Sequence, residues 1–400
     1  MVRNGSNKEN KRRLPLFVVY SSTHPNIKRK ANFIASLGKK YFRVFTFEIS
    51  ANSRKQYILQ SLKLLFVIIS KKAVNILIIE PWYPILLVLL FHRFKTKLIY
   101  YSGNINFDVL KSLKFNVILR SILKIAEVMT IMKADIILSD SESMTDFFSI
   151  YNKKKRIYYV PEYIGDVYDI FLSKEHYTSR RVDISNTTFV IGYISTIHLE
   201  NLGYRTLPRG WELIEVCQEL LNADAQHFKF LVIGDGNGLE ELRNMVHKNK
   251  MTEYFQFAGF VSDEEKTKLL NSVDIGFCED YKSYITHRFN LSSKIQEYLH
   301  AGVPVVTGKQ GDKGAVIGNI EHPCGICIDP LNDKDPEDFK RYISDLSDAI
   351  IYLKTNLDIS TKMSNNCLLE FSKRFSKKNI TATIDNMFNE ICNSETKEKF

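Results

Sequence analysis

An α/β fold built from two doubly wound, Rossmann-like units is what this 400-residue sequence predicts. Three observations carry that reading. Short apolar runs alternate with helical stretches along nearly the whole chain, which is the pattern of a parallel sheet covered on both faces. A polar stretch, "SKEHYTSRRVDISNTT", interrupts the alternation near residues 173–188, after which it restarts. The length exceeds what one ordinary hydrophobic core supports, so two domains are expected.

In chain order, "PLFVVYS" precedes the helical "KRKANFIASLGKK" and the strand "FRVFTFEI". "NILIIE" precedes the helical "PILLVLLFHRF" and the strand "KLIYYSG". "ADIILSD" precedes "SESMTDFFSIY" and the strand "RIYYVPE". After the interruption come "FVIGYIST", "GWELIEVCQELLN", "FKFLVIGDGNG", "LEELRNMVHKN", "YFQFAGF", "SDEEKTKLLNSV", "DIGFCED", a short helix and "PVVTG". From about residue 335 the chain reads as helices. The division expected is a loose N-terminus at 1–13, a first domain at 14–180, a second at 181–375, and a helix at 376–400 that returns to the first domain.

The composition is ordinary for a globular protein: 44% hydrophobic and 25% charged. No apolar run reaches the length of a membrane span. "KRRLPLFVVYSS" has too short an apolar core and no clean cleavage site for a signal peptide, and it reads as a strand. A cytoplasmic chain follows. Of the six cysteines, only Cys324 and Cys327 have metal or redox spacing. They stand in a loop running into a strand with no second pair, so a structural role is expected and no metal site.

Charge divides unevenly. Residues 1–180 carry 30 Lys and Arg against 13 Asp and Glu, a net +17; residues 181–400 carry 25 against 32, a net −7; together they give the overall +10. Dispersed basic residues without a nucleic-acid motif argue against nucleic acid as partner. They suit an anionic membrane surface or a lipid-phosphate substrate. In "LKSLKFNVILRSILKIAEVMTIMK" apolar residues at helical spacing are interspersed with Lys111, Lys114, Arg120, Lys124 and Lys133, as in an interfacial helix. A packed surface helix with a solvated basic face fits the same stretch.

Ligands of parallel sheets bind beyond the carboxyl ends of the strands. That singles out His24, Glu80, Gly103, Asn104, Ser139, Thr196, Gly234 to Gly238, Glu279 and Gly308, and makes the cleft between the two units the default site. The segment "SSKIQEYLHAGVPVV" adds local physics. Ser293 and Gln296 have capping-box spacing, Ile295, Tyr298 and Leu299 form an apolar face, and Lys294 and Glu297 share another. Gly302 fits the left-handed position after the helix, Pro304 ends it, and Val303 to Thr307 reads as a buried strand. The positive N-terminal end of such a helix can meet an anion.

The second half resembles the donor domain of the GT-B glycosyltransferases, family 4 in particular. "IGYIST…PRGWELIE", "FLVIGDGNGLEELRNMV", "FAGFVSDEEKTKLLNSVDIGF", "SSKIQEYLHAGVPVVTG" and "GICIDPLNDKD" follow that family's motifs in order, and "ADIILSDSESMTDFF…YYVPE" resembles its first-domain counterpart. The resemblance spans about residues 14–380. It implies a retaining transfer of sugar from a nucleotide-sugar donor to a glycan or lipid-linked acceptor, without metal or other cofactor. By position, Glu297 would hold the ribose. Ser292, Ser293 and the start of Lys294 would hold the diphosphate. Arg209 and Lys294 would stabilise the leaving nucleoside diphosphate, and Gly234 and Gly236 would line the donor site. Glu80, Asn104 and His24 are the acceptor-side or sugar-side candidates. The sequence departs from the family at Phe289, where a first glutamate is usual, at Gly103, where a histidine is usual, and at Glu162 in place of asparagine. A non-catalytic homologue that binds nucleotide-sugar, or supports a partner enzyme, is the alternative those departures motivate. A sugar-nucleotide epimerase on the same fold is a third reading.

Overall fold

The structure is a computed structural model and describes residues 13–21, 25–49, 59–60, 62–63, 66, 75–79, 97–102, 117–153, 156–162, 188–202, 205–283, 289 and 291–397. The chain packs as two compact units, one of Met1–Tyr163 with Lys377–Phe400, the other of Ile164–Ser376. The polar stretch that marked the change of unit lies almost wholly outside the described residues.

The first unit is a six-stranded parallel sheet: β1 (Pro15–Ser21), β2 (Arg43–Ile49), β3 (Asn75–Ile79), β4 (Lys97–Ser102), β5 (Ile136–Ser139) and β6 (Arg156–Tyr159). Their spatial order is β2-β1-β3-β4-β5-β6. Every residue of β3 and β5 is buried, because helices cover both faces and an aliphatic run can then stay dry on either side. The helices described here are α1 (Pro25–Gly38), α2 (Val117–Lys133) and α3 (Glu142–Tyr151). Ser141 starts α3: its hydroxyl accepts from the Met144 N–H at 3.0 Å.

A later helix, α11 (Lys377–Lys397), completes this unit. Its Ile380, Ile384, Met387, Phe388 and Ile391 share one core with Leu16, Ile34, Phe42 and Leu77. Phe388 meets Phe42 edge to face at 5.3 Å. At the surface, Glu390 pairs with Arg156, and Asp385 with Lys40 at 3.4 Å.

The second unit is again a six-stranded parallel sheet, ordered β11-β10-β7-β12-β13-β14. Its strands are β7 (Phe189–Ile194), β10 (Phe228–Ile233), β11 (Phe255–Gly259), β12 (Ile275–Cys278), β13 (Val305–Gly308) and β14 (Gly325–Ile328). An antiparallel hairpin, β8 (Leu199–Leu202) and β9 (Arg205–Pro208), is inserted after β7. The helices are α4 (Glu212–Asn222), α5 (Leu239–Lys248), α6 (Asp263–Leu270), α7 (Ser293–His300), α8 (Asp312–Val316), α9 (Pro336–Thr355) and α10 (Leu357–Arg374). Numbered within this unit, with the hairpin set aside, the strand order is 3-2-1-4-5-6. The order reverses between β7 and β12, and the crevice beyond their carboxyl ends is the default ligand site.

The turn from α7 to β13 forms as the glycine and proline imply. Gly302 has φ 65°, its N–H bonds to Leu299 O at 3.1 Å, and the Val303 N–H bonds to Tyr298 O at 2.9 Å. That is a complete Schellman motif. It also explains why β13 starts at Val305 and not at Val303: the Val303 N–H closes the helix instead. The N-terminal expectation was wrong. Ser292 is the cap residue, no side chain accepts from the first turn, and the Ser293/Gln296 capping box does not form.

Candidate functional site

Four charged side chains converge where the strand order of the second unit reverses. Lys294, in the first turn of α7, donates to the Ser195 hydroxyl at 3.0 Å, just past β7, and to Glu279 Oε1 at 2.9 Å, just past β12. Arg209 approaches the same Glu279 oxygen with Nη1 at 3.8 Å and donates from Nε to Glu200 at 2.5 Å. Glu279 is 1% exposed. A carboxylate so deeply buried persists ionised only when cations compensate its lost hydration, and here two do.

Local sequence builds this arrangement. Arg209 ends the inserted hairpin directly before Gly210, whose φ of 85° turns the chain into α4. A Cβ at Gly210 would stand 2.8 Å from the Tyr193 ring, so the glycine also lets this turn lie against β7. Helix α7 is held to the sheet by Tyr298. Its hydroxyl donates to Gly192 O at 2.9 Å and accepts from the Ile194 N–H at 3.0 Å. This anchoring carries Lys294, one turn earlier, to the end of β7.

Adjacent carboxylates after β12 diverge. Asp280 binds Lys313 Nζ at 2.6 Å and accepts from Gln310 Nε2 at 2.8 Å; its partner lysine is 2% exposed. Glu279 and Asp280 are neighbours in an extended segment, so they point to opposite sides, and each finds its own cation. Beneath the cluster, Glu212 is fully buried and accepts from the Tyr281 hydroxyl. Burial, reinforced by nearby Glu279 and opposed by that hydrogen bond, pushes its carboxyl up to about 8. Burial likewise raises the Glu200 carboxyl, against the pull of Arg209.

The residues singled out in the sequence fare differently. Arg209 and Lys294 do meet, with a separation set by one shared oxygen. They are bound to Glu279 and Glu200 rather than standing alone before a ligand. Ser292 and Ser293 sit at the start of α7, whose first N–H groups have no partner within the helix. Glu297 has a cation of its own. It accepts from Lys266 Nζ at 2.9 Å, a lysine of α6 that also pairs with Asp263.

Gly234 and Gly236 have φ of 141° and 153°. A Cβ on them would come within 1.7 Å of Ser195 O and 2.3 Å of Ile197 O. The segment they serve is bonded to residues 195–199, through Ile197 N to Asp235 O at 3.0 Å and Leu199 N to Asn237 Oδ1 at 3.2 Å. Their first role is therefore backbone against backbone. Ser139 is also structural, donating to Ser141 O at 2.7 Å. His24, Glu80 and Asn104 lie outside the described residues, as do Gly103, Lys111 and Lys114. Cys324 and Cys327 bond to backbone carbonyls, and among the described residues no group of three His, Cys, Asp or Glu is placed to hold a metal ion.

Sequence reasoning missed Ser195, Glu200, Glu212 and Lys266. It reached Glu279 by position after a strand but assigned it no role. The alternation of the pattern placed that residue at a strand end, yet nothing in the sequence showed that two distant cations fold onto it.

These two parallel-sheet units make a GT-B fold, the architecture of a large class of glycosyltransferases. Residues 211–355 match the sequence model described as Glycosyl transferases group 1. Sucrose-phosphate synthase from Thermosynechococcus elongatus superposes with a TM-score of 0.66 at 11% identity, covering 96% of this chain and 100% of that one. HepE of Anabaena, in complex with UDP, gives 0.62 at 14% identity over 95% and 100%. WaaG, a glycosyltransferase involved in lipopolysaccharide biosynthesis, gives 0.61 at 10% over 94% and 99%. No curated protein matches in sequence. Among the described residues, no helix is long and apolar enough to cross a membrane.

Proposed function

We propose that this chain is a retaining, metal-independent glycosyltransferase of family 4 that takes sugar from a nucleotide-sugar and passes it to a glycan or lipid-linked acceptor at an anionic, inner membrane face. The observation that carries the reading is the convergence of Arg209 and Lys294 at the switch point of the second sheet, with Lys294 in the first turn of α7. The UDP and UDP-glucose in the HepE structures support a donor of this kind.

In this reading the donor diphosphate lies against the α7 N-terminus, where N–H groups and the helix dipole favour negative charge. Lys294 and Arg209 stabilise the charge that builds on the diphosphate as the glycosidic bond to phosphate breaks. The departing phosphate takes the acceptor proton. Glu297 releases Lys266 to accept from the ribose hydroxyls. The four charges of Arg209, Lys294, Glu200 and Glu279 cancel when all are ionised, so an incoming dianion needs one carboxylate to yield. Glu200 is the candidate: it is the more exposed of the two, and its carboxyl is already shifted toward protonation.

A non-catalytic binder is favoured by a specific observation too, since Phe289 stands where a glutamate is usual and both cations are already paired. Release of free sugar from candidate nucleotide-sugars, measured without acceptor, separates the two. Turnover that falls about 100-fold or more in Lys294→Ala and Arg209→Ala, with a smaller change in donor KM, supports transfer chemistry. A loss confined to KM leaves them as ground-state binders only. Turnover abolished by EDTA and restored by magnesium or manganese refutes the family 4 mechanism.

A further inference from the structure

We propose that Glu200 takes up a proton from solvent when the donor diphosphate binds, and then donates its O–H to a phosphate oxygen; this rests on the reading that the diphosphate lies against α7 beside Arg209 and Lys294. The two carboxylates of the cluster are held unequally. Glu279 is buried and faces both cations with one oxygen, Lys294 Nζ at 2.9 Å and Arg209 Nη1 at 3.8 Å, and two cations so close favour its ionised form. Glu200 is bound through one oxygen to Arg209 Nε at 2.5 Å. Its other oxygen, Oε2, is buried with no hydrogen-bond partner among the described residues. An ionised carboxylate only accepts, whereas a protonated one gains a donor, so Oε2 is where a proton can be held and turned toward an anion.

A carboxylate can yield to an incoming anion by moving aside or by becoming neutral, and the hairpin favours the second. Glu200 shares a face of β8 with Leu202, which is 1% exposed within the core of its unit. The base of the hairpin is tied down by three hydrogen bonds: Arg209 N–H to His198 O at 2.9 Å, Gly238 N–H to Ile197 O at 2.8 Å and Leu199 N–H to Asn237 Oδ1 at 3.2 Å. Shifting the strand would withdraw Leu202 from its packing and leave a cavity. Burial already raises the Glu200 carboxyl; Arg209 and Lys294 oppose that and Glu279 reinforces it. A bound dianion adds charge of the sign that favours the neutral form. The remaining charged neighbours are placed otherwise. Glu212 lies buried beneath the cluster, Arg205 of β9 reaches over the Phe339 ring, and His198 and Asp235 on the adjoining turns are exposed.

Calorimetric titration of the full chain with UDP-glucose, GDP-glucose and ADP-glucose, in Pipes, Hepes and Tris at one pH, reads the proton directly, because each buffer adds its own heat of ionisation. The phosphates of these donors do not titrate near neutrality. For the tightest binder, uptake of roughly half a proton or more at about pH 7.5 is expected, with affinity that weakens toward tenfold per pH unit between about pH 7 and pH 8.5, since the bound state holds the extra proton. In Glu200→Gln the amide is neutral at every pH and still donates. Proton uptake should therefore vanish, and binding at about pH 8.5 should be about tenfold or more tighter than in the parent. Binding by the parent with no dependence on buffer overturns the proposal and leaves the donor reading standing. Uptake that persists in Glu200→Gln overturns it too, and its loss in Glu212→Gln would place the proton there. No binding of any of the three donors overturns both.

Discussion

The two units are built to the same plan and place their described ion pairs differently. Each is a six-stranded parallel sheet with buried aliphatic strands. In the second, the decisive ionic groups are sunk at the carboxyl ends of the strands, where Glu279 and Asp280 are 1% and 0% exposed and Lys313 is 2%. Among the described residues of the first, the pairs Lys28–Glu48, Lys40–Asp385 and Arg156–Glu390 lie at the surface, the last with side chains 59% and 42% exposed. Among its described residues it also leaves Ile118, Ile122 and Ile125 of α2 exposed. Architecture alone therefore does not assign a role. Position of charge does, since a buried ion pair is a high-stakes arrangement and a surface pair is nearly neutral.

The sharpest way to break this comparison is to remove one partner from a pair in each unit. Lys313→Ala should cost about 3–5 kcal/mol, because it leaves Asp280 buried without its cation. Arg156→Ala should cost under about 1 kcal/mol. Denaturant titrations of both variants decide the matter, and equal losses would mean that burial is not what distinguishes the units.

A smaller effect is expected at Glu297. If it accepts from the donor ribose, Glu297→Ala should weaken nucleotide-sugar binding by roughly 1.5–3 kcal/mol, read by calorimetry. Unchanged affinity would leave it as the structural partner of Lys266 alone.

A third effect is expected at Glu212, in the pH dependence of stability. Its folded carboxyl titrates near 8, above the ordinary carboxylate value of about 4.3. Between those values the folded state holds a proton that the unfolded chain has released, so stability falls as pH rises across the window and levels off above it. Glu212→Gln removes that slope. Relative to the parent it should gain up to about 3 kcal/mol on going from pH 5 to pH 8, since the cost of burying the amide is the same at both values and drops out of the comparison. Parallel melting curves at the two pH values would show instead that Glu212 is ionised throughout.

Much of the fold was legible because strands buried on both faces leave largely aliphatic runs: "NILII" and "IILS" are β3 and β5. The α7-to-β13 turn was legible because glycine and proline have few backbone options. The site was less so. Lys294 and Arg209 stand out as cations beside a helix start and a glycine, but their partners Glu279 and Ser195 are 15 and 99 residues from Lys294. Such pairing is decided by strand order, which periodicity does not encode. Glycines carry two readings: Gly234 and Gly236, expected to line the donor site, are demanded in any case by the carbonyls of Ser195 and Ile197. The capping box failed because Ser292, not Ser293, occupies the cap.

Helix α11 bears on how the protein is made. Its Ile384, Met387 and Phe388 belong to the core around β1 and α1, yet a ribosome reaches them only after every residue of the second unit. The second unit can therefore mature during translation while the first waits, its Phe42 and Ile34 uncovered, for a helix that arrives more than 300 residues later. Premature termination shortly before residue 377 would leave a finished second unit beside an unfinished first one.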